Sequence, residues 1–293
     1  MLHETVRQLY SEQPQRTLYH YTSLTGLMGI VEKRNFWVSD IRYLNDSEEL
    51  KHLGRWLDGT TGRLQQSQGP QKVLTQFREW LQRRLLVDFG PTLFVGSFTE
   101  EGNLLSQWRG YCPHGRGVSI GFSPLKIIEQ SQRHSFMIGK CIYDSRTKSD
   151  LAGQVINAVI SAAERVGEAS ELHPSQSYHG VFKQIEPELL KIAALVKDDS
   201  FSEEKEWRVV SQVFTNFIES PIKFREAPSM LIPYMEMPLV DGGQKLPIGD
   251  IIVGPTPTIN LSMESIVRYL NRLGVVNLSI KSCGIPYRGL STR

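Results

Sequence analysis

The sequence predicts an α+β fold in a single domain spanning residues 1–293, built on a central mixed or antiparallel sheet. Short segments rich in β-branched and aromatic residues are interleaved with amphipathic helical segments in an irregular order. The helical segments form long stretches, and one of these is a helical insertion at about residues 150–200. Such segregation favours α+β over a regularly alternating, doubly wound sheet.

Composition narrows the class of protein. The 293 residues are 40% hydrophobic and 22% charged, which is ordinary for a globular protein. A net charge of +2 gives no strongly basic field of the kind that marks nucleic-acid binding. Three distant cysteines, Cys112, Cys141 and Cys283, do not suggest a disulfide framework. No segment approaches the roughly 20 apolar residues of a membrane span, so we expect a cytoplasmic protein without membrane contact.

The chain opens with helix, strand, helix and strand. A short helix ends before Pro14, and the alternating residues Thr17–Tyr21 predict a strand. Thr22 or Ser23 can cap the next helix, whose apolar residues share one face. The β-branched and aromatic residues of Phe36–Asp40 predict a second strand.

Two helices and three strands follow. The residues Asn45–Glu49 have the pattern of a reciprocally capped helix start, and this helix runs to about Leu57. The polar, glycine-rich range Gly59–Pro70 predicts a loop, and Gln71–Val87 predicts an amphipathic helix. Strands are predicted at Pro91–Thr99, Gly115–Phe122 and Phe136–Asp144, with the short helical segment LLSQWRGY after the first.

The second half of the chain begins with the helical insertion, in which apolar residues recur at helical spacing from Asp150 to about Lys197. Short extended pieces, PIKF and MLIPYMEM, lie between the later strands. Further elements are strands at Glu206–Phe214, Asp250–Thr256 and Asn277–Ser282 and a helix at Ser262–Leu273.

Several familiar sites are absent from the sequence. It has no GxxxxGK[ST] phosphate loop, no GxGxxG fingerprint after a strand, no GxSxG elbow and no HExxH helix. Gly115 and Gly117 indicate a tight turn. Cys112 and His114 are separated by a single residue, which is unlike the spacing of zinc knuckles, so no metal site is expected.

The segment SEEKEWR, residues 202–208, carries the most suggestive acidic residues. If Glu204 is already extended, it and Glu206 lie on one face of a strand, about 7 Å apart at the strand rise. Arg208 continues that face and can neutralise Glu206. Two interpretations stay open: a structural Glu–Arg pair, or a carboxylate that binds ribose hydroxyls or acts as a general base.

Two further motifs combine polar and aromatic side chains. Trp108 and Tyr111 flank Arg109, and this combination can stack on a nicotinamide or a base and grip a phosphate, or simply pack one helix face. His20, within LYHYTS, is either a hydrogen-bonded structural histidine or a cleft residue.

Five segments in order carry a resemblance that covers nearly the whole chain. They are YHYTS, FWVSDIRYLNDSEE, WRGY followed by GRGVSIGF, EKEWR, and IIVGP with IPYR. Together they resemble an uncharacterised bacterial domain family, in which Leu44 of this chain replaces the usual Phe before Asn-Asp. That architecture in turn resembles the ADP-ribosyltransferase superfamily of the histidine-tyrosine-glutamate type.

The resemblance implies specific roles. His20 would bind the ribose of NAD, donating a hydrogen bond to ribose or phosphate. Glu206 would hydrogen-bond the nicotinamide ribose, and Glu204 would orient the acceptor nucleophile. Breaking the nicotinamide–ribose bond develops oxocarbenium character, which a carboxylate stabilises while a second carboxylate takes the acceptor's proton.

The remaining NAD contacts are implied less directly. Thr22, or the amides of the helix capped by Ser23, would hold a phosphate oxygen. No tyrosine falls clearly on the second strand, and Trp108 and Tyr111 are preferred for stacking on nicotinamide. The residues implied in cofactor binding are His20, Tyr21, Thr22, Ser39, Trp108, Arg109 and Tyr111.

The resemblance predicts an NAD-dependent ADP-ribosyltransferase with NAD as substrate, acting as a bacterial defence or toxin effector on a nucleic acid or protein. An antitoxin or chaperone partner is compatible with that role. The alternative is a non-catalytic nucleotide- or nucleic-acid-sensing module. Both require that His20 and Glu206 face one cleft.

Overall fold

The computed structural model describes residues 2–44, 49–66, 70–84, 90–112, 116–166, 178–216, 218 and 220–286. Within these ranges the chain folds as a mixture of helices and one ten-stranded sheet. The sheet is mixed, because β10 pairs with β9 in parallel while every other ladder between the described strands is antiparallel. The predicted α+β class with a mixed sheet is confirmed.

The helices and strands have the following bounds. The α-helices are α1 (Leu2–Leu9), α2 (Leu24–Lys33), α3 (Glu49–Gln66), α4 (Gln71–Arg84), α5 (Leu105–Tyr111), α6 (Pro124–Arg133), α7 (Ser145–Val166), α8 (His179–Ala193) and α9 (Ile259–Arg272). The strands are β1 (Leu18–Thr22), β2 (Asn35–Asp40), β3 (Phe94–Thr99), β4 (Val118–Phe122), β5 (Met137–Lys140), β6 (Glu206–Val210), β7 (Lys223–Ala227), β8 (Met230–Pro238), β9 (Ile248–Val253) and β10 (Ser279–Ser282). Short 3-10 helices span Ile41–Tyr43 and Asp199–Glu204.

The strand order is β10-β9-β4-β1-β3-β2-β8-β7, and β6 and β5 branch from β3. Strand β6 pairs with one edge of β3 along its length. Strands β1 and β2 therefore share the other edge, where β2 pairs at Phe94 and Val95 and β1 pairs at Thr99. The two strands diverge between these points. The edge of β3 from Gly96 to Phe98 faces this split and has no partner in the described ladders.

Two large hydrophobic clusters cover the sheet, and a small third cluster forms around Tyr21 and Trp108. One includes the buried residues of α1, α3, α4, α7 and α8, and the other contains side chains from α2, α6, α9 and the strands. Adjacent residues of β6 show the division, since Val209 belongs to the second cluster and Val210 to the first. This follows from the two-residue period of a strand, which turns successive side chains to opposite faces.

The helices α7 and α8 lie between β5 and β6 in the chain, and their apolar faces join the first cluster. The strands that flank this insertion nevertheless pair directly, with Met137 opposite Val210 and Lys140 opposite Trp207. No helix within the described ranges is both long enough and apolar enough to cross a membrane.

Several predicted bounds need correction. The loop prediction for Gly59–Pro70 is wrong up to Gln66, because α3 continues through both glycines. Buried Thr61 donates its hydroxyl to the carbonyl of Leu57, and tertiary packing outweighs the glycine cost of about 1 kcal/mol per residue. No helix was predicted where α6 lies.

Other predictions fall at the ends of elements. Strand β6 ends at Val210, beyond which Phe214 forms only an isolated bridge with Thr92. Strand β5 is likewise shorter than its predicted range. The proposed capping residues 45–48, and residues 85–87 of the helix predicted over Gln71–Val87, lie outside the described residues.

Candidate functional site

A cleft of about 280 Å³ opens at the split between β1 and β2. Side chains from both diverging strands line it, together with the exposed edge of β3 and the start of β6. A Cβ atom at Gly96 would lie 2.4 Å from Cε1 of Phe36, so the glycine allows this ring to pack against β3 inside the split. Of the predicted residues, six line the cleft: His20, Tyr21, Ser39, Tyr111, Glu204 and Glu206.

His20 is half-buried in the split. Its Nδ1 lies 3.0 Å from the carbonyl oxygen of Ser97, and its ring stands edge-on to Phe36 with centroids 4.7 Å apart. Burial lowers the pKa of His20 below its ordinary value, and the bond to Ser97 offsets only part of that effect. Because a carbonyl only accepts, Nδ1 carries the proton of the neutral ring and Nε2 is an acceptor. In this tautomer Nε2 can accept a hydrogen bond from a hydroxyl but cannot donate one.

Glu204 and Glu206 converge on one cation. The Nζ of buried Lys197 lies 2.5 Å from Oε2 of Glu204 and 2.6 Å from Oε2 of Glu206. The condition for a shared strand face, an extended Glu204, is not met, because Glu204 ends a 3-10 helix and Lys205 adopts a left-handed conformation, with φ 44 and ψ 50. The lysine brings together carboxylates that the local backbone directs differently.

Arg208 binds Glu206 from within the sheet. Its Nε donates to Oε1 over 2.8 Å and its Nη2 to Oε2 over 3.2 Å, while Nη1 donates to the carbonyl of Ala194 over 2.7 Å. Burial alone raises the pKa of the Glu206 carboxyl, but the charges of Arg208 and Lys197 outweigh it and lower that pKa to about 2. Glu206 is therefore ionised at neutral pH. The structural Glu–Arg pair exists, and its Glu206 lines the cleft.

The acidic cluster, defined as Lys197, Glu204, Glu206 and Arg208, has balanced formal charges. A carboxylate offers about four acceptor positions, and Lys197 and Arg208 occupy three on Glu206. One position remains for a hydroxyl donor. The hydroxyl of Tyr143 accepts from the Glu206 amide over 3.0 Å, which holds the start of β6 in place.

Two predicted residues in the cleft have additional contacts. Tyr21 donates its hydroxyl to the carbonyl of Glu101 and accepts from the amide of Leu104, both over 2.8 Å. Its ring thus anchors the connection between β3 and α5. Tyr111 reaches Oε1 of Glu204 at 3.4 Å and is 38% exposed, so its ring remains accessible at the rim.

Three predicted residues do not line the cleft. Trp108 is fully buried edge-on to Tyr21, and its Nε1 donates to Oδ1 of Asn103 over 3.0 Å. Thr22 packs against α2, where a Cβ at Gly26 would lie 2.0 Å from its Oγ1. Arg109 is exposed elsewhere on α5. The preferred stacking role of Trp108 is therefore incompatible with its position, because its ring is fully buried.

The cleft also contains side chains for which no role was predicted. Lys197 follows an apolar helix and gives no local signal, and Arg225 lies on a short polar strand. Trp37 on β2 lines the cleft and is 43% exposed, and the ring of Tyr234 packs against it at a centroid distance of 4.5 Å and a tilt of 36°. Tyr43, in the short 3-10 helix after β2, lines it as well.

Metal ligation finds no support in the part of the chain that the structure describes, where no group of three His, Cys, Asp or Glu residues is arranged to hold an ion. Cys112, Cys141 and Cys283 are buried and unbridged. His114, considered with Cys112 from the sequence, lies outside the described residues.

Residues 107–209 match the model of a family described as a protein of unknown function, DUF2971. The expected uncharacterised domain is confirmed to that extent. The matched range runs from α5 to β6 and includes the acidic cluster, whereas β1 with His20 precedes it. No curated protein and no solved structure matches the chain.

Proposed function

We propose that the chain is an NAD-dependent ADP-ribosyltransferase that transfers ADP-ribose to a nucleic acid or a protein. The observation that carries the proposal is the presence of neutral His20 and ionised Glu206 in the wall of one cleft. They lie far apart in the chain and both line the cleft at the split between β1 and β2. The histidine-tyrosine-glutamate resemblance assigns these two residues to the ribose groups of NAD.

The proposed chemistry follows from their hydrogen-bonding states. The Nε2 of His20 accepts from one ribose hydroxyl, and the remaining acceptor position of Glu206 takes another. As the bond between nicotinamide and C1′ breaks, its electron pair leaves with nicotinamide and positive charge develops on the ribose. The ionised Glu206 carboxylate stabilises that charge without being reorganised, because Arg208 and Lys197 already fix its position.

The acceptor nucleophile then forms its bond to C1′ and loses a proton. Glu204 is the better placed carboxylate to receive that proton, because its side chain is 10% exposed and that of Glu206 is 5% exposed. Tyr111 at the rim contacts Glu204 and marks the side from which an acceptor approaches.

The substitution Glu206→Gln tests the proposal. With NAD labelled in its adenylate half and total cell RNA, DNA and protein as acceptors, we expect it to lower label transfer and nicotinamide release by about 100-fold or more. Circular dichroism checks that the variant is folded. The matched control is Glu203→Gln, which neutralises an exposed carboxylate three residues earlier and leaves the rate unchanged. An unchanged rate in folded Glu206→Gln would falsify the proposal.

The nucleotide-sensing alternative is favoured by one specific observation. Lys197 and Arg208 neutralise both carboxylates, as in a purely structural network. Tight NAD binding without nicotinamide release in the wild-type protein would identify the cleft as a sensor.

A further inference from the structure

Arg225 lies at the end of the cleft away from the acidic cluster. It is on β7, and its side chain extends across β8 until Nη2 is 3.4 Å from Oγ of Ser39 on β2. That distance is long for a hydrogen bond. The guanidinium lines the cleft together with Ser39 and Trp37.

The donors of this guanidinium are poorly used. Within the described ranges no carboxylate lies within ion-pair distance of Arg225, and its Nε is buried without a hydrogen-bond partner. Burial, the largest influence, lowers the pKa of Arg225, and the neighbouring Tyr234 offsets only part of that effect. A partly buried cation whose Nε lacks a hydrogen-bond partner gains when a ligand supplies an anion.

The surroundings indicate the kind of anion. The formal charges of the acidic cluster balance, so Arg225 gives the lining a positive end. In the same lining, Trp37 has a 43% exposed side chain, and the ring of Tyr234 packs against it at a tilt of 36°. A planar, multidentate cation binds phosphate well, and an aromatic face binds any nucleobase.

We propose that Arg225 binds a phosphate group of a nucleotide in this cleft and that Trp37 stacks on its base. This inference rests on the proposed function for the use of the same cleft, but it requires no turnover. Ser39 lies two residues after Trp37 on β2 and provides a hydroxyl donor beside the phosphate. The nucleotide thus spans from Trp37 and Arg225 towards His20.

Calorimetric titration with ADP and with adenosine tests the inference, since the two probes differ by the phosphates. We expect the wild-type protein to bind ADP more tightly, and Arg225→Gln to weaken ADP binding about tenfold or more while leaving adenosine binding unchanged. Trp37→Ala is expected to weaken both probes by about fivefold or more, since stacking acts on the base.

Lys223→Gln is the matched control, because it removes one positive charge from the same strand without touching the cleft. Its ADP affinity should stay within about twofold of the wild type, since surface charges are screened. Equal affinity for ADP and adenosine in the wild type, or unchanged ADP affinity in Arg225→Gln, would overturn the inference.

The same variants separate this inference from the proposed function. If ADP binding depends on Arg225 but the protein never releases nicotinamide, the transferase proposal is rejected and the phosphate site is supported. If NAD cleavage depends on Glu206 but is unchanged in Arg225→Gln, the transferase is supported and the phosphate site is rejected.

Discussion

Arg208 and Arg225 show opposite uses of a partly or fully buried guanidinium in one molecule. Arg208 makes a fork with Glu206 and a third bond to the carbonyl of Ala194. Arg225 has a single long contact to Ser39. A guanidinium whose donors are satisfied holds the fold, whereas one whose donors are unused is available to a ligand. The two arginines thus differ in how many of their donors are used.

The largest effect separating the two arginines is on stability. Arg208→Gln leaves Glu206 buried beside one cation, and we expect the free energy of unfolding to fall by about 3–5 kcal/mol. Arg225→Gln breaks no ion pair among the described residues and should change it by about 0.5 kcal/mol or less. Urea unfolding followed by circular dichroism measures both. Equal losses of unfolding free energy in the two variants would contradict the distinction between Arg208 and Arg225.

The second effect is on the pH dependence of stability at the acidic cluster. The pKa of Glu206 is lowered to about 2 in the folded state. Its stabilising contribution is therefore complete above the ordinary glutamate pKa of about 4.3 and is lost as the pH falls towards 2. We expect a loss of about 3 kcal/mol across that window in urea unfolding. The loss should disappear in Glu206→Gln, and a wild-type profile that is flat there would contradict the described ion pairs.

The smallest effect concerns His20, whose ring has one bonded nitrogen and one unused nitrogen. Its Nδ1 is bonded to Ser97 and its Nε2 is left as an acceptor. Because burial lowers its pKa, the folded protein resists protonating this ring, and stability decreases as the pH falls below about 6.5. Nitrogen-15 NMR should show a neutral ring protonated at Nδ1 at pH 7. Protonation at Nε2 in the free protein would contradict this tautomer and restore His20 as a donor.

Local pattern was sufficient for much of the fold. The alternation in β1, the capping Ser23 of α2 and the buried run of β9 are each visible within a few residues, and the structure contains all three. Patterns failed where packing outweighs propensity. Two glycines in α3 suggested a loop, yet the helix continues because its apolar face is buried in the first cluster.

The candidate site divides in the same way. His20 and Glu206 were recognised from motifs, and the structure places both in one cleft. The shared strand face considered for Glu204 and Glu206 does not form, because Lys205 between them is left-handed, and this conformation has no reliable local signal. Lys197 was missed because its role depends on two carboxylates that it contacts only in the folded chain.

The sequence by itself determined the α+β class, the motif residues His20 and Glu206 and the lack of common phosphate-loop and zinc-protease motifs, since these depend on residue type and short-range period. Tertiary structure alone decided the split between β1 and β2, the neutralisation of the glutamates and the unused donors of Arg225. Each of these arises from contacts between segments far apart in the chain. Strand order and the balance of buried charges determine those contacts, and neither produces a periodic pattern in the sequence.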